Sequence, residues 1–269
     1  MQVETEKLAL DIRVGILDMI YKSGASHIGS AFSIVDVLAV LYGDVLNFRS
    51  DEPDWEARDR FILSKGHAAA ALYTTLAEVG YFSEELLASY SHAGSILLGH
   101  SSHHVPGVEF STGSLGHGLP VGLGMALASK SSVQPYRVFV GLGDGEMDEG
   151  SNWEAFMFAA HLRLGNLVAI VDYNKIQSYG TVDEIMSLEP LKSKLESFGW
   201  AVDEVDGHDH TELKQVLSKN TVHSVQPQAV IAHTVKGKGV GFMENNLAWH
   251  YKNPNDEQYQ IAMKELTGQ

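Results

Sequence analysis

The apolar residues of this 269-residue chain follow two periods, and the change from one to the other predicts the order of its elements. Residues 4–22 carry apolar side chains at helical spacing and predict an amphipathic helix stopped at Gly24, where a glycine can take the left-handed conformation that ends a helix. Residues 33–45 predict a second helix, with Ser33 as N-cap and Asp36 at the capping-box position. A charged loop from Asn47 to Arg60 leads to a short apolar strand, Phe61 to Leu63, then Ser64-Lys65-Gly66-His67 and an alanine-rich helix over about 68–80. Ser83 is placed to cap a further short helix. Residues 91–113 hold many Gly, Ser and His and no period, which predicts a loop; a loop that long in a compact domain is usually functional. A small-residue helix follows from Leu115 to Lys130. Its glycines at 116, 118, 122 and 124 weaken it unless another backbone packs against it.

The clearest unit comes next. Tyr136 to Leu142 is a continuous apolar run, as expected of a parallel strand covered on both faces. A Gly143-Asp144-Gly145 turn, a helix from Asn152 to Leu164 and a second buried strand, Leu167 to Val171, complete a βαβ crossover ending in Asp172-Tyr173-Asn174. Such crossovers are right-handed. Two later strands are predicted at 200–205 and 229–235, and a polar segment, 253–269, is helical at its end. The pattern is α/β: a mostly parallel sheet with helices on both faces, in one domain spanning 1–269. In such folds ligands sit at the carboxyl ends of the strands, where both aspartate-containing turns fall.

Charge and composition narrow the partners. The 19 Lys+Arg against 34 Asp+Glu leave a net charge of −15, which disfavours nucleic acid and anionic membrane surfaces. No apolar stretch is long enough for a transmembrane helix, and Met1 to Asp11 lacks the apolar core of a signal peptide. There is no cysteine, so neither disulfides nor thiolate metal sites are available. The plain expectation is a cytoplasmic protein. The 13 histidines often stand beside small residues, as at His27, His67, His100 and His117, and glycine lets a ligand approach the backbone closely.

Asp144 and Asn174 end two strands that the crossover makes neighbours. A carboxylate and an amide oxygen are hard donors suited to Mg²⁺ or Ca²⁺, and Mg²⁺ completes its shell with phosphate and water. The helix starting near Asn152 is expected to aim its N-terminus at the same spot, where an anion is favoured. A metal bridging a diphosphate fits these parts. A dinucleotide site fits less well: Asp172 could stand for the ribose-binding acid, but the run from Gly141 places Glu146 where the last glycine of the fingerprint belongs, and no phosphate-binding G-K-[ST] occurs. Asp144, Glu146, Asp148, Glu149 and Glu154 crowd one short stretch. Crowded carboxylates raise one another's pKa values and suit proton relays. His161, His208, His210 and the other scattered histidines are expected to be packed or solvated. Lys236 and Lys238 could help neutralise a diphosphate, although exposure is the commoner state of a lysine.

The stretch GDGEMDEGSNWEAFMFAAHLRLGNLVAIVDYN resembles the thiamine-diphosphate motif. Four further segments resemble transketolase: SGASHIGSAFS, LSKGHAAAALY, GVEFSTGSLGHGLPVGLGMALA and HTVKGKGVGF with its later WHYKNP. Together they cover about residues 8 to 255, in order. The chain resembles the N-terminal, diphosphate-binding domain of a transketolase and implies that cofactor-binding fold. The resemblance implies Asp144, Asn174 and the backbone carbonyl of Ile176 as metal ligands. It implies His67, Gly145, Asn174 and His250 as cofactor contacts on the diphosphate side, and Gly113, Ser114 and Leu115 beside the aminopyrimidine. It implies His27, His100 and His250 around the reacting carbon, and Glu149 and Glu154 as a carboxylate relay between the cofactor sites of a dimer.

A whole transketolase also has a pyrimidine-binding and a C-terminal domain, which the matched segments leave no room for here. The expectation is therefore a split enzyme, with those domains on a partner subunit, in an α2β2 assembly active only when complete. Its reaction would move a two-carbon ketol unit from a ketose, such as a ketose phosphate, to an aldose. The alternatives are a deoxyxylulose-type synthase, one chain of a 2-oxo acid dehydrogenase, and a non-catalytic scaffold subunit. His117 stands where transketolases often carry Gln, and His103 and His104 follow His100 closely enough to be confused with it.

Overall fold

The computed structural model describes residues 4–268. Helix α1 (Thr5–Ser23) ends as expected on a left-handed Gly24. The second predicted helix is instead two short ones, α2 (Ile28–Ser33) and α3 (Val35–Val40), followed by a π-helical turn, Leu41–Val45. Neither Ser33 nor Asp36 caps. Ser33 Oγ donates to the Ser30 carbonyl and to Asp172, while Asp36 is buried against Arg13. The run from Ile28 to Tyr42 is buried all round, so it lacks the polar stripe that would mark its boundaries.

Strand β1 (Arg60–Leu63) and helices α4 (Ala69–Glu78) and α5 (Gly118–Ser129) fall where the pattern puts them, with Ser83 capping a 3-10 turn and no regular element from 91 to 113. Then come β2 (Val138–Gly143), α6 (Gly150–His161) and β3 (Leu167–Tyr173), so Asp172 and Tyr173 belong to the strand itself. Three short helices escape the sequence pattern: α7 (Val182–Ile185), α8 (Leu191–Ser197) and α9 (His210–Leu217). Strands β4 (Ala201–Asp206) and β5 (Gln228–His233) and the terminal helix α10 (Asp256–Thr267) complete the chain.

The five strands are parallel in the order β1-β2-β3-β5-β4. Side chains alternate across the sheet. Val168 and Ile170 of β3 face a core with α1–α4, α9 and α10, whereas Leu167, Ala169 and Val171 face α5, α6 and α8. Gly118 and Gly122 explain how a glycine-rich α5 is kept. A Cβ on Gly118 would lie 2.8 Å from Ser64 Cα, and one on Gly122 would lie 2.6 Å from Val140 Cγ2. Helix and sheet thus approach at a distance that only glycine allows. Among the described residues no helix is long and apolar enough to cross a membrane.

Candidate active site

At the carboxyl ends of β1, β2 and β3 lies a cavity of about 220 Å³. Its wall is assembled from segments far apart in the chain. The start of α2 contributes His27 and the turn after β1 contributes Lys65 and His67. The long loop brings His100, Gly113 and Leu115, and the turns after β2 and β3 bring Asp144, Gly145, Asn174 and Ile176. Lys236 and His250 come from the last third.

Four histidines converge here. The His27 ring lies 5.3 Å from that of His67, 5.8 Å from His100 and 5.2 Å from His250, and His67 lies 5.6 Å from His250. His27 has a left-handed backbone, φ 73°, and its N–H donates to the His250 carbonyl at 3.0 Å. A non-glycine residue in this region marks a position the surroundings over-determine. His100 is pinned through its backbone: Tyr73 Oη donates to its carbonyl at 2.8 Å and accepts from Ser102 N–H at 3.0 Å. His103 and His104 point their rings at each other in solvent, outside the cavity.

Burial, then the charges of neighbouring His100, Lys236 and Lys65, pushes His27 down to about 4. Burial and Lys236 take His250 down to about 3, and burial with Lys65 lowers His67 well below its ordinary value. All three rings are neutral near pH 7 and can both give and accept a hydrogen bond.

Asp144 is pushed the other way, up to about 6, by burial and by Asp172. Its oxygens accept only backbone N–H groups, from Gly145 at 2.7 Å and Lys175 at 2.6 Å. Lys236 is buried, contrary to the sequence expectation, and burial beside Lys65 lowers it to about 8. Its Nζ donates to the Ile176 carbonyl and to His250 Nδ1, both at 2.9 Å. A buried carboxylate without a cation and a buried ammonium without an anion therefore border the same space. A metal and a diphosphate would supply both missing charges. Among the described residues no three His, Cys, Asp or Glu side chains converge on a metal position. The donors that fit one are the Asp144 carboxylate, the Asn174 amide oxygen and the Ile176 carbonyl, an all-oxygen set appropriate to Mg²⁺ or Ca²⁺.

The other residues singled out from the sequence fall in several places. The acidic stretch does not act as one cluster. Glu146 is buried as a brace, accepting from Ser64 Oγ, Gly116 N–H at 2.9 Å and Gly143 N–H at 3.2 Å. Asp148, Glu149 and Glu154 are exposed and outside the cavity, as are Ser114 and His117. Helix α6 begins behind a 3-10 turn, Gly145–Asp148, and none of its residues lines the cavity, so its N-terminus stands outside the cavity wall. Sequence reasoning missed Lys65, Ser30 and Gln177 as wall residues. Lys65 sits between a strand end and His67, which was the available signal.

Fold and cavity together define a cofactor-binding α/β domain with its site at the carboxyl edge of a parallel sheet. The chain belongs to the transketolase thiamine diphosphate binding domain family, whose profile matches residues 4–267. It is 42% identical over 268 residues to one of the chains of the apulose-4-phosphate transketolase of Phocaeicola vulgatus, covering 99% of this chain and 95% of that one. It is 40% identical over 266 residues to the 6-deoxy-6-sulfo-D-fructose transketolase subunit SqwG of Clostridium sp., covering 98% and 97%. Among solved structures it is similar to the transketolase from Leishmania mexicana, with TM-score 0.92 and 28% identity over 99% of this chain, but it spans only 42% of that chain. The transketolase from Campylobacter jejuni gives TM-score 0.91 at 30% identity, with 99% and 43% covered.

Proposed function

We propose that this chain is the thiamine-diphosphate- and metal-binding subunit of a two-chain transketolase, transferring a two-carbon ketol unit from a ketose, such as a ketose phosphate, to an aldose. The observation that carries this reading is the cavity itself, with neutral His27, His67 and His250 beside the unpaired Asp144 and Lys236.

Thiamine diphosphate, when bound, supplies the nucleophilic carbon that protein side chains lack. The chain's own residues bind and orient it. Asp144, Asn174 and the Ile176 carbonyl hold Mg²⁺ or Ca²⁺. Lys236, His67, His250 and the Gly145 backbone take the diphosphate, and Gly113, Ser114 and Leu115 border the aminopyrimidine. His27, His100 and His250 exchange hydrogen bonds and protons with sugar hydroxyls, the general acid–base work for which imidazole suits. Glu149 and Glu154 lie on the outer surface at α6 and are assigned to a relay reached through the assembled interface.

The pyrimidine-binding half is assigned to a partner subunit in an α2β2 complex. Supporting a partner, α5 and α6 pack together and leave Leu127, Met157 and Phe158 exposed by 43%, 57% and 48%. Beyond Gly124 there is nothing within 4 Å of an added Cβ. Large apolar side chains exposed on two packed helices are of the kind that interaction surfaces use. The Phocaeicola vulgatus and Clostridium chains share this chain's length almost entirely.

Native isolation followed by mass measurement tests the assembly. A second chain should co-purify, and the pair should turn over ketose phosphates only with thiamine diphosphate and Mg²⁺. Turnover by the isolated chain would refute the two-chain reading, and a cofactor-binding pair inert toward every ketose would refute the transfer activity.

A further inference from the structure

Asp36 lies on α3 away from the cavity, only 5% exposed, and collects four donors. Arg13 Nη1 and Nη2 reach it at 3.0 and 2.5 Å, His208 Nδ1 at 2.6 Å and His210 Nε2 at 3.1 Å. Burial alone would push its carboxyl up, but the bonds from His208, His210 and Arg13 outweigh burial and hold it well below the usual range. A fully ionised acceptor is thus fixed beneath the sheet's carboxyl edge.

Two of these donors continue to one loop. His208 Nε2 accepts the backbone N–H of Val235 at 2.8 Å, and Arg13 Nε donates to the carbonyl of Lys238 at 3.2 Å. Those contacts bracket Lys236, and Gly237 N–H adds a third tie, to the Gly29 carbonyl at 3.0 Å. The His208 ring is held in one tautomer, its proton on Nδ1 toward Asp36 and its bare Nε2 toward Val235. A freely rotating or displaced ring would lose both contacts at once.

We infer that His208, oriented by Asp36, is a positioning residue that sets the Val235–Lys238 loop so that the Lys236 ammonium stands at the cavity wall where a diphosphate is received. The inference rests on the cofactor reading above for its consequence, though not for its geometry. His208 touches neither the cavity nor Lys236 itself, and it acts through one backbone N–H. Lys236 has only uncharged acceptors of its own, so its placement depends on where the loop holds its backbone.

Two substitutions separate positioning from bulk stability. His208→Asn keeps a donor for Asp36 but is too short to accept from Val235, and His208→Gln restores an acceptor at the longer reach. The full chain is reconstituted with its partner, thiamine diphosphate and Mg²⁺. Apparent cofactor affinity, turnover at saturating cofactor and Tm are measured, with hydrogen exchange of the 234–239 amides in the chain without cofactor. His208→Asn should weaken cofactor affinity roughly 10-fold, the loss of about one charge-assisted contact. Turnover at saturation should stay within about twofold, exchange at 235–238 should quicken, and His208→Gln should recover most of both effects. Unchanged affinity and unchanged exchange in His208→Asn would overturn the inference, as would a fall in turnover without a change in affinity. If the wild-type complex binds no thiamine diphosphate, the cofactor reading fails. The exchange comparison then still decides the positioning role: quickened exchange upholds it and equal exchange refutes it.

Discussion

The Lys65 ammonium and the Asp172 carboxylate form an ion pair inside the protein, their side chains 1% and 0% exposed. Asp172 also accepts from Ser33 Oγ at 2.6 Å and from Thr234 Oγ1, and Lys65 donates to the Ser30 carbonyl at 3.0 Å. One pair therefore joins the end of β1, the central strand β3, helix α2 and the loop after β5 beneath the cavity. Removing one partner of a buried pair leaves an uncompensated charge, at a cost of about 3–5 kcal/mol. Urea unfolding of Lys65→Met should show a loss of that size. A loss under about 1 kcal/mol would mean that the two hydroxyls suffice to hold Asp172.

His250 takes the Lys236 ammonium on Nδ1, which leaves Nε2 for the substrate hydroxyl that the proposed function assigns to it. A hydrogen bond to a charged or developing charge contributes roughly 1.5–3 kcal/mol, so His250→Ala should lower turnover of the reconstituted enzyme by about 10- to 100-fold. Wild-type turnover in that variant would remove His250 from the chemistry.

The site histidines also set how stability responds to acid. A group whose folded pKa lies below its unfolded value binds fewer protons when folded, so stability rises with pH between the two values. His27, lowered from 6.5 to about 4, and His250, lowered from 6.5 to about 3, therefore contribute fully above pH 6.5 and lose their contribution as pH falls toward 3–4. Asp144, raised from 3.8 to about 6, works oppositely and loses stability as pH rises through that interval. The histidines extend further, so the net slope should be positive from about pH 4 to 6.5. Denaturant titrations of the His27→Asn, His250→Asn double variant should give a flatter acid limb than wild type, and an identical limb would contradict the assignment.

Gly66 is a point of close approach. A Cβ there would stand 2.6 Å from the Thr112 carbonyl carbon and 2.7 Å from its oxygen. Thr112 N–H donates to the Ser101 carbonyl at 3.1 Å, and Ser101 N–H to Gly66 at 3.2 Å. Overpacking of this kind costs about 1–3 kcal/mol. Gly66→Ala should lower Tm and also turnover, because the displaced loop carries His100. Loss of stability with turnover intact would show that the loop repacks without moving His100.

Much of this was legible in the amino-acid order because its carriers are local. The βαβ unit announces itself by two buried apolar runs, and it necessarily brings Asp144 near Asn174. The short helices α7, α8 and α9 were not legible, since elements of 4 to 8 residues hold too few turns to establish a period. Lys65 and Lys236 could not be read as buried either. Their acceptors, Asp172 and the Ile176 carbonyl, are distant in sequence, and a lysine's burial depends on partners that only the fold supplies. The capping pattern around Asp36 yields for the same reason, to Arg13, His208 and His210 arriving from elsewhere.

The hydrogen bond between His27 N–H and the His250 carbonyl has a consequence for biosynthesis. A ribosome adds roughly 5–20 residues per second, so tens of seconds separate the appearance of the two partners. Throughout that interval the nascent polypeptide carries His27 without the carbonyl that its N–H meets in the folded protein. The histidine-lined cavity is thus a late product of translation, and a chain interrupted before residue 250 lacks one wall of it however well its first βαβ unit has formed.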